Sequence, residues 1–388
     1  MDFLSLNAVG MKNHNKYAVL KYIRKGYLSR ADISRLTNLT RASITYIVDD
    51  LREAGLVIEG EYKQKRVGKR SIQLSINPKA GYAIGISITR DCIQLNVINL
   101  ACEVVKSDVI YDKDLSLGES LDAISEKVAS YIKKYSRKML GIGIICPGPV
   151  DEINGKIINP IKLNKWHYFD ICEYFSNRFK IKCFLKKDIN SYALIEKTFN
   201  KDIDGCDFLD VISDRGIGSS VILDGKLLVG NGFGVELGHV SIDPINGKLC
   251  QCGLKGCVEQ YASTSSIINY CKEQGLEYNK WEEVMDDFLS NDETKRNKAK
   301  DIVDKMVFYY GEALSTFENI LNIGTIIITG SLSYRSEVLF DSIENYINSH
   351  ILAKNLSKVR IVRSIIEDIE YKAAGNIVLE ELFNGNLN

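Results

Sequence analysis

The 388-residue sequence has no apolar run approaching the ~20 residues that a membrane-crossing helix needs, and no charged-then-apolar leader opens it. No membrane association is expected, and the expected location is the cytoplasm. There is no internal sequence repeat and no low-complexity tract. Histidine is scarce, at four residues, and ten cysteines in this length do not make a disulfide scaffold. Seven of them (Cys92, Cys102, Cys146, Cys172, Cys183, Cys206 and Cys271) are dispersed, as packed and reduced thiols are. Net charge is absent as well, because 50 Lys and Arg balance 50 Asp and Glu. That balance conceals an asymmetry: residues 1–80 carry 15 basic against 7 acidic side chains, and the remainder 35 against 43. A basic head on an acidic body implies that the head meets a polyanion. The apolar fraction of 45% and charged fraction of 26% belong to a globular protein long enough for two or three domains.

The pattern inside the head gives that charge a form. Residues 15–26 place Tyr17, Val19, Leu20 and Ile23 at helical spacing, with Gly26 as a stop. Ser29 and Asp32 are spaced as a capping box that opens a short helix with Ile33 and Leu36 inward. After a turn at residues 37–39, Thr40 caps a third helix that runs to about Glu53. Ile44, Ile47, Val48 and Leu51 form its apolar stripe, leaving Arg41, Ser43, Thr45 and Tyr46 on or near the other face. Two short helices joined by a tight turn, the second polar at its start, are a helix-turn-helix, and those four residues are the expected base and phosphate readers. Residues 56–61 and 71–76 read as two strands around a basic tip at residues 63–70, a wing. Lys69 and Arg70 follow Gly68 there, and an arginine beside a glycine can enter a narrow minor groove. The competing reading is a three-helix protein-interaction module with a charged surface.

In the body, three thiols fall within eight residues, Cys250, Cys252 and Cys257, and Gly253 and Gly256 let that loop fold back. With His239 upstream they make a Cys₃His set, a closed tetrahedral ligand group suited to a structural zinc ion. Glu236 precedes His239 by three residues and Glu259 follows Cys257 by two, so a metal that fixes the backbone also fixes two carboxylates. Such carboxylates are good acceptors for sugar hydroxyls.

The run Glu236-Leu237-Gly238-His239, followed by Cys250-Gln251-Cys252-Gly253-Leu254-Lys255-Gly256-Cys257-Val258-Glu259, resembles the signature of the ROK family of repressors and sugar kinases. The resemblance implies an α/β two-lobed, actin-like sugar-kinase fold, here with an N-terminal winged helix-turn-helix, and it is similar to that of xylose-repressor-type members. It also implies a sugar site that includes Asp188 and Asn190, from the family's Asn-Asp-x-Asn motif, with Glu236, His239 and Glu259. Lys187 stands where a sugar-contacting Asn is usual, which admits an anionic effector such as a sugar phosphate. Gly68-Lys69-Arg70 is similar to the wing turn of family repressors. The kinases' Asp-x-Gly-x-Thr loop is replaced by Ser87-Ile88-Thr89-Arg90-Asp91, with Ser87 in place of the metal-organising acid and Ile88 beside it where open backbone is wanted. Gly216 and Gly218 resemble a second phosphate loop, and Ser331 stands where a second glycine would follow Gly330.

The expected division is a DNA-binding head at 1–76, a linker at 77–80 and a sensing body at 81–388. Lobe one would take about 81–205 plus the C-terminal helix, and lobe two about 206–370. The expected protein is not an enzyme but a sugar-responsive repressor binding double-stranded operator DNA, a monosaccharide or sugar-phosphate effector and structural zinc, as a homodimer or homotetramer. The alternatives are an ATP-dependent sugar kinase carrying a DNA-binding head, and a DNA-binding protein whose body only oligomerises.

Overall fold

A computed structural model describes residues 8–26, 28–60, 72–135, 138–230, 234–366 and 368–387, with side chains from residue 14 onward. The chain forms two compact units, one from Met1–Ser191 with Asp368–Asn388 and the other from Tyr192–Glu367.

The first unit opens with α1 (Ala8–Lys25), β1 (Leu28–Ser29), α2 (Arg30–Thr37), α3 (Arg41–Glu53), β2 (Val57–Gly60) and β3 (Gln73–Ile76). Local chemistry sets these boundaries. The Ser29 hydroxyl accepts from the Asp32 N–H at 3.3 Å while Asp32 accepts from the Ser29 N–H at 3.0 Å, the predicted capping box. Asn38 takes the left-handed conformation that ends α2, and the Thr40 hydroxyl accepts the Ser43 N–H to start α3. Val19, Leu20, Ile23, Ile33, Ile44, Ile47, Val48 and Leu51 close the core of the head. Leu36 departs from expectation, being half exposed. Three residues beyond Ile33 is 300° of helical rotation, and α2 ends at once, so no further turn brings that side chain under cover. β1 and β2 flank β3 in a three-stranded antiparallel sheet. A 3₁₀ turn at Pro78–Ala80, capped by Asn77, leads out of the head.

Next come β4 (Tyr82–Ile88), β5 (Ile93–Asn99), β6 (Val104–Ile110), α4 (Leu117–Tyr135), β7 (Met139–Cys146), β8 (Val150–Asp151), β9 (Lys156–Ile157), α5 (Ile171–Phe179), β10 (Cys183–Lys187) and α6 (Asp188–Phe199). The sheet order is β10-β7-β4-β5-β6, with β4, β5 and β6 antiparallel in succession and β7 and β10 added in parallel to β4. Strand alternation divides its two faces. Ile84, Ile86, Ile88, Leu95, Val97, Ile142 and Ile144 pack with Leu121, Ile124 and Val128 of α4, in a core that includes Trp166. The other face carries glycines where a helix lies directly on the strands.

The second unit contains β11 (Phe208–Ser213), β12 (Ile217–Leu223), β13 (Lys226–Leu227), α7 (Glu259–Ala262), α8 (Thr264–Glu273), α9 (Trp281–Phe288), α10 (Glu293–Leu321), β14 (Thr325–Thr329), α11 (Glu337–His350) and β15 (Arg360–Arg363). Its sheet, β13-β12-β11-β14-β15, repeats the first: an antiparallel meander followed by two parallel additions. The repeat exists in topology and not in sequence. Asp224 and Gly225, both at positive φ, form a two-residue hairpin turn between β12 and β13. Gly218, by contrast, lies within β12, so the two glycines do not make a separate loop. The units divide inside α6, at Ser191/Tyr192, and not near residue 205. The reason is packing: Ala193 and Leu194 of α6 share a core with Phe208, Ile222 and Ile327.

The last helix, α12 (Ile369–Phe383), returns to the first unit. A Cβ on Gly143 would lie 1.9 Å from the Ala374 carbonyl oxygen, and one on Gly85 would lie 2.6 Å from the Gly375 nitrogen. Only glycine admits so close an approach of helix to strand.

Candidate metal centre and nucleic-acid interface

The cysteine loop is held by its own backbone before any metal is considered. Gly253 and Gly256 take φ of +91° and +75°, a Cβ on Gly256 would meet the Asp243 carbonyl oxygen at 2.1 Å, and the Cys250 N–H donates to the Leu254 carbonyl at 2.8 Å. His239 ends a 3₁₀ turn (Leu237–His239) in which Gly238 lies flat against the Ile217 carbonyl, where a Cβ would come within 2.3 Å. The Val258 N–H donates to the Val240 carbonyl at 2.9 Å and ties the two segments together.

These constraints bring His239, Cys250, Cys252 and Cys257 into one cluster whose ligand atoms all lie within 4.8 Å of one another. The Cys252 and Cys257 sulfurs are 3.6 Å apart, and the Cys250 sulfur is 3.7 Å from His239 Nδ1. A zinc ion with Zn–S of ~2.3 Å and Zn–N of ~2.0 Å in a tetrahedron sets edges of about 3.5–3.8 Å, which these two separations match. Cys250 and Cys257 are buried and Cys252 is exposed. Burial pushes the Cys250 and Cys257 thiols above their ordinary value, a shift that a coordinated cation reverses.

The carboxylates beside this cluster are placed by the same fold. Glu259 Oε1 lies 3.2 Å from the Cys250 sulfur and 3.8 Å from His239 Nδ1, and Glu259 Oε2 faces Gly216, where a Cβ would approach it to 3.0 Å. Glu236 is exposed and immediately precedes the 3₁₀ turn. The flanking backbone is pinned by Ser219, whose hydroxyl accepts the Leu237 N–H at 2.8 Å and donates to the Val235 carbonyl at 3.0 Å.

Asp188 and Asn190 belong to the other unit, at the first turn of α6. Asp188 Oδ1 accepts the Ile189 N–H at 2.7 Å. The residue that organises this turn is Glu152, which the sequence did not single out. Its Oε1 accepts from the Asn190 amide at 2.8 Å and the Lys187 N–H at 2.9 Å, and its Oε2 pairs with Lys186 at 3.1 Å. The only signal in the sequence is its place after the Pro147-Gly148-Pro149 turn, and nothing there specifies its partners. Asn190 is buried with its Oδ1 unpartnered, and Lys187 is buried too.

Two turns that invited comparison with kinase nucleotide loops, at Thr89 and at Gly330, are closed by side chains of this chain. The Thr89 hydroxyl oxygen accepts the Asp91 and Cys92 N–H groups at 3.3 and 3.2 Å. In the second unit Asp214 accepts the Ser331 N–H at 2.8 Å and the Ser331 hydroxyl at 2.5 Å, at the Gly330 turn.

In the head, Arg41, Ser43, Thr45 and Tyr46 are all exposed on α3, opposite its buried stripe. Lys69 and Arg70, and the wing tip that carries them, lie outside the described residues.

Comparison with known proteins identifies the family and the fold. The ROK family profile matches residues 83–379, and a winged helix-turn-helix DNA-binding profile matches residues 12–58. The chain belongs to the ROK family. Among ROK relatives, the DNA-binding transcriptional dual regulator NagC of Escherichia coli K12 is 29% identical over 394 residues, covering 97% of this chain and 95% of NagC. The xylose repressor of Bacillus spizizenii is 28% identical over 348 residues, 88% of each chain. A solved ROK family transcriptional regulator, a homologue of the E. coli MLC protein, superimposes with a TM-score of 0.78 at 24% identity, covering 97% of this chain and 98% of that one. A ROK hexokinase from Thermus thermophilus gives a TM-score of 0.66 at 21% identity, covering 78% of this chain and all of the hexokinase. Both share the fold. Among the described residues no helix is long and apolar enough to cross a membrane.

Proposed function

We propose that this ROK protein is a sugar-responsive transcriptional repressor whose kinase-like body senses a carbohydrate without phosphorylating it. The observation that carries this reading is the joining, in one chain, of a ROK body and a capped helix-turn-helix whose second helix exposes Arg41, Ser43, Thr45 and Tyr46. The relatives named as repressors support it over the kinase alternative. In this reading α3 enters the major groove, and Lys69 and Arg70 are further DNA contacts. Glu236, Glu259, Asp188 and Asn190 supply hydroxyl partners for a monosaccharide or sugar phosphate. His239, Cys250, Cys252 and Cys257 hold a zinc ion that fixes the loop bearing His239 and Glu259; this ion supplies structure and no chemistry.

Phosphoryl transfer relies on charge stabilisation by positioned donors. Here the Thr89 hydroxyl occupies the Asp91 and Cys92 amide donors at the turn that replaces the first phosphate loop, which supports sensing over catalysis. The working form is proposed to be a cytoplasmic homodimer or homotetramer, with head 1–76, linker 77–80 and body 81–388. Effector binding then lowers operator affinity by its differential affinity for two states of the protein.

The test has three parts. The chain should select a duplex from a random pool and bind it with steep salt dependence. A panel of monosaccharides and sugar phosphates should contain one that raises the melting temperature and releases that duplex. That same sugar, incubated with ATP, should not be phosphorylated; robust product formation would make this a kinase with a DNA-binding head.

A further inference from the structure

Arg24 is the one buried arginine among the described residues, with its side chain 3% exposed. Residues 1–80 are rich in basic side chains, and a basic head reads as DNA-facing throughout. Arg24 is turned the other way. Its guanidinium meets Glu380 Oε1 at 2.6 Å and Asn376 Oδ1 at 2.5 Å, and lies 4.3 Å from the centre of the Phe383 ring. These three partners are spaced by four and three residues on α12, so they form one face of that helix. Asn376 is oriented by a second donor, the buried Cys102 thiol, at 3.6 Å; burial pushes that thiol up to about 11 and keeps it protonated.

α1 therefore has two working faces. Val19, Leu20 and Ile23 enter the core of the head, while Tyr17 and Arg24, seven residues apart, face the C-terminal segment. The Tyr17 ring lies so close to Gly385, at φ +84°, that a Cβ there would approach it to 2.7 Å. α12 in turn rests on β4 and β7 with no clearance for a side chain at Gly85 or Gly143. A buried guanidinium that forks to a carboxylate and an amide has one geometry, so it fixes orientation as well as contact.

We propose that Arg24 is a positioning residue for operator reading: it clamps α1, and with it the reader α2–α3, in one orientation on the last helix of the body. α12 begins where the chain leaves the second unit, so a change in that helix is carried to the head through this clamp. The role rests on the DNA-binding reading above.

The test uses the full chain with Arg24→Met, which keeps the stem and loses the fork, and with Arg24→Lys and Glu380→Gln. Amide hydrogen exchange is followed without DNA, and affinity is measured for the duplex that the wild type selects from a random pool. In Arg24→Met, exchange at residues 376–386 and in the last turn of α1 should rise at least tenfold. Residues 44–51 of α3 should stay protected, affinity should fall about tenfold, and tolerance for respaced duplexes should widen. Glu380→Gln should act in the same direction with smaller effect, and Arg24→Lys should recover part of the loss. Unchanged exchange at residues 376–386 in both Arg24→Met and Glu380→Gln overturns the clamp. Equal loss of protection in α3 reduces Arg24 to a stabiliser of the head, and unchanged affinity with the clamp open removes its role in reading. A wild type that selects no duplex defeats the DNA-binding reading itself, and the positioning role with it.

Discussion

Replacing Cys252 by Ser isolates the metal from the packing around it. Cys250 and Cys257 are 2% and 0% exposed, so changing either disturbs the core as well as the ligand set. Cys252 is exposed, and a serine there changes one donor atom and little else. Structural zinc contributes an apparent ~10–16 kcal/mol through four ligands at neutral pH. Losing one thiolate of the Cys₃His set removes about a quarter of that, roughly 2.5–4 kcal/mol, or about two to three powers of ten in affinity. Zinc measured by elemental analysis after dialysis against a chelator should be about one ion per chain in the wild type and close to none in Cys252→Ser. The second unit should melt earlier in the variant, the effector response should weaken, and the head, which belongs to the other unit, should melt unchanged. Full zinc retention by Cys252→Ser under the same chelator would refute the assignment of these four ligands.

Glu152→Ala should destabilise the first unit by about 3–5 kcal/mol, since it strands the buried donors of Asn190 and Lys187, whereas Glu152→Gln should cost ~1 kcal/mol; thermal unfolding that shows the two variants alike would contradict this. Asp210 is fully buried with no side-chain hydrogen-bond partner, and burial, with Glu196 nearby, holds its pKa well above the ordinary value. The folded state therefore favours the proton. Its contribution to stability is complete below the ordinary carboxylate range and is lost as pH rises from there towards the elevated folded value. Asp210→Asn should flatten that decline and raise the stability at pH 8 by about 1–3 kcal/mol, and melting curves between pH 4 and 8 that parallel the wild type would rule it out. Gly143→Ala should cost ~1–3 kcal/mol or prevent folding, because its Cβ would collide with the Ala374 carbonyl, and an unaffected melting temperature would show that α12 yields.

The Cys₃His set, the two caps at Ser29 and Thr40 and the buried stripe of α3 were all legible in the sequence. Each is a local device: its partners lie within a few residues or, for His239, at a spacing that few chemistries share. Leu36 shows the limit of periodicity, because a pattern gives the direction of a side chain and not whether anything lies there to cover it. The topology of the second sheet, a copy of the first, left no repeat in the sequence, since many apolar sequences satisfy the same strand order.

The sequence by itself determined the chemistry available to this protein: a basic reader, a soft tetrahedral ligand set and carboxylates beside it. Only the tertiary structure decided which of these groups is supported, and by what. Glu152 lies 35 residues from the Lys187 N–H it binds, Asp214 is 117 residues from Ser331, and Arg24 is 356 residues from Glu380. No propensity or spacing encodes such pairs. They are settled when helices and sheets pack and a buried charge or donor must find its partner or forfeit the stability that desolvation removes.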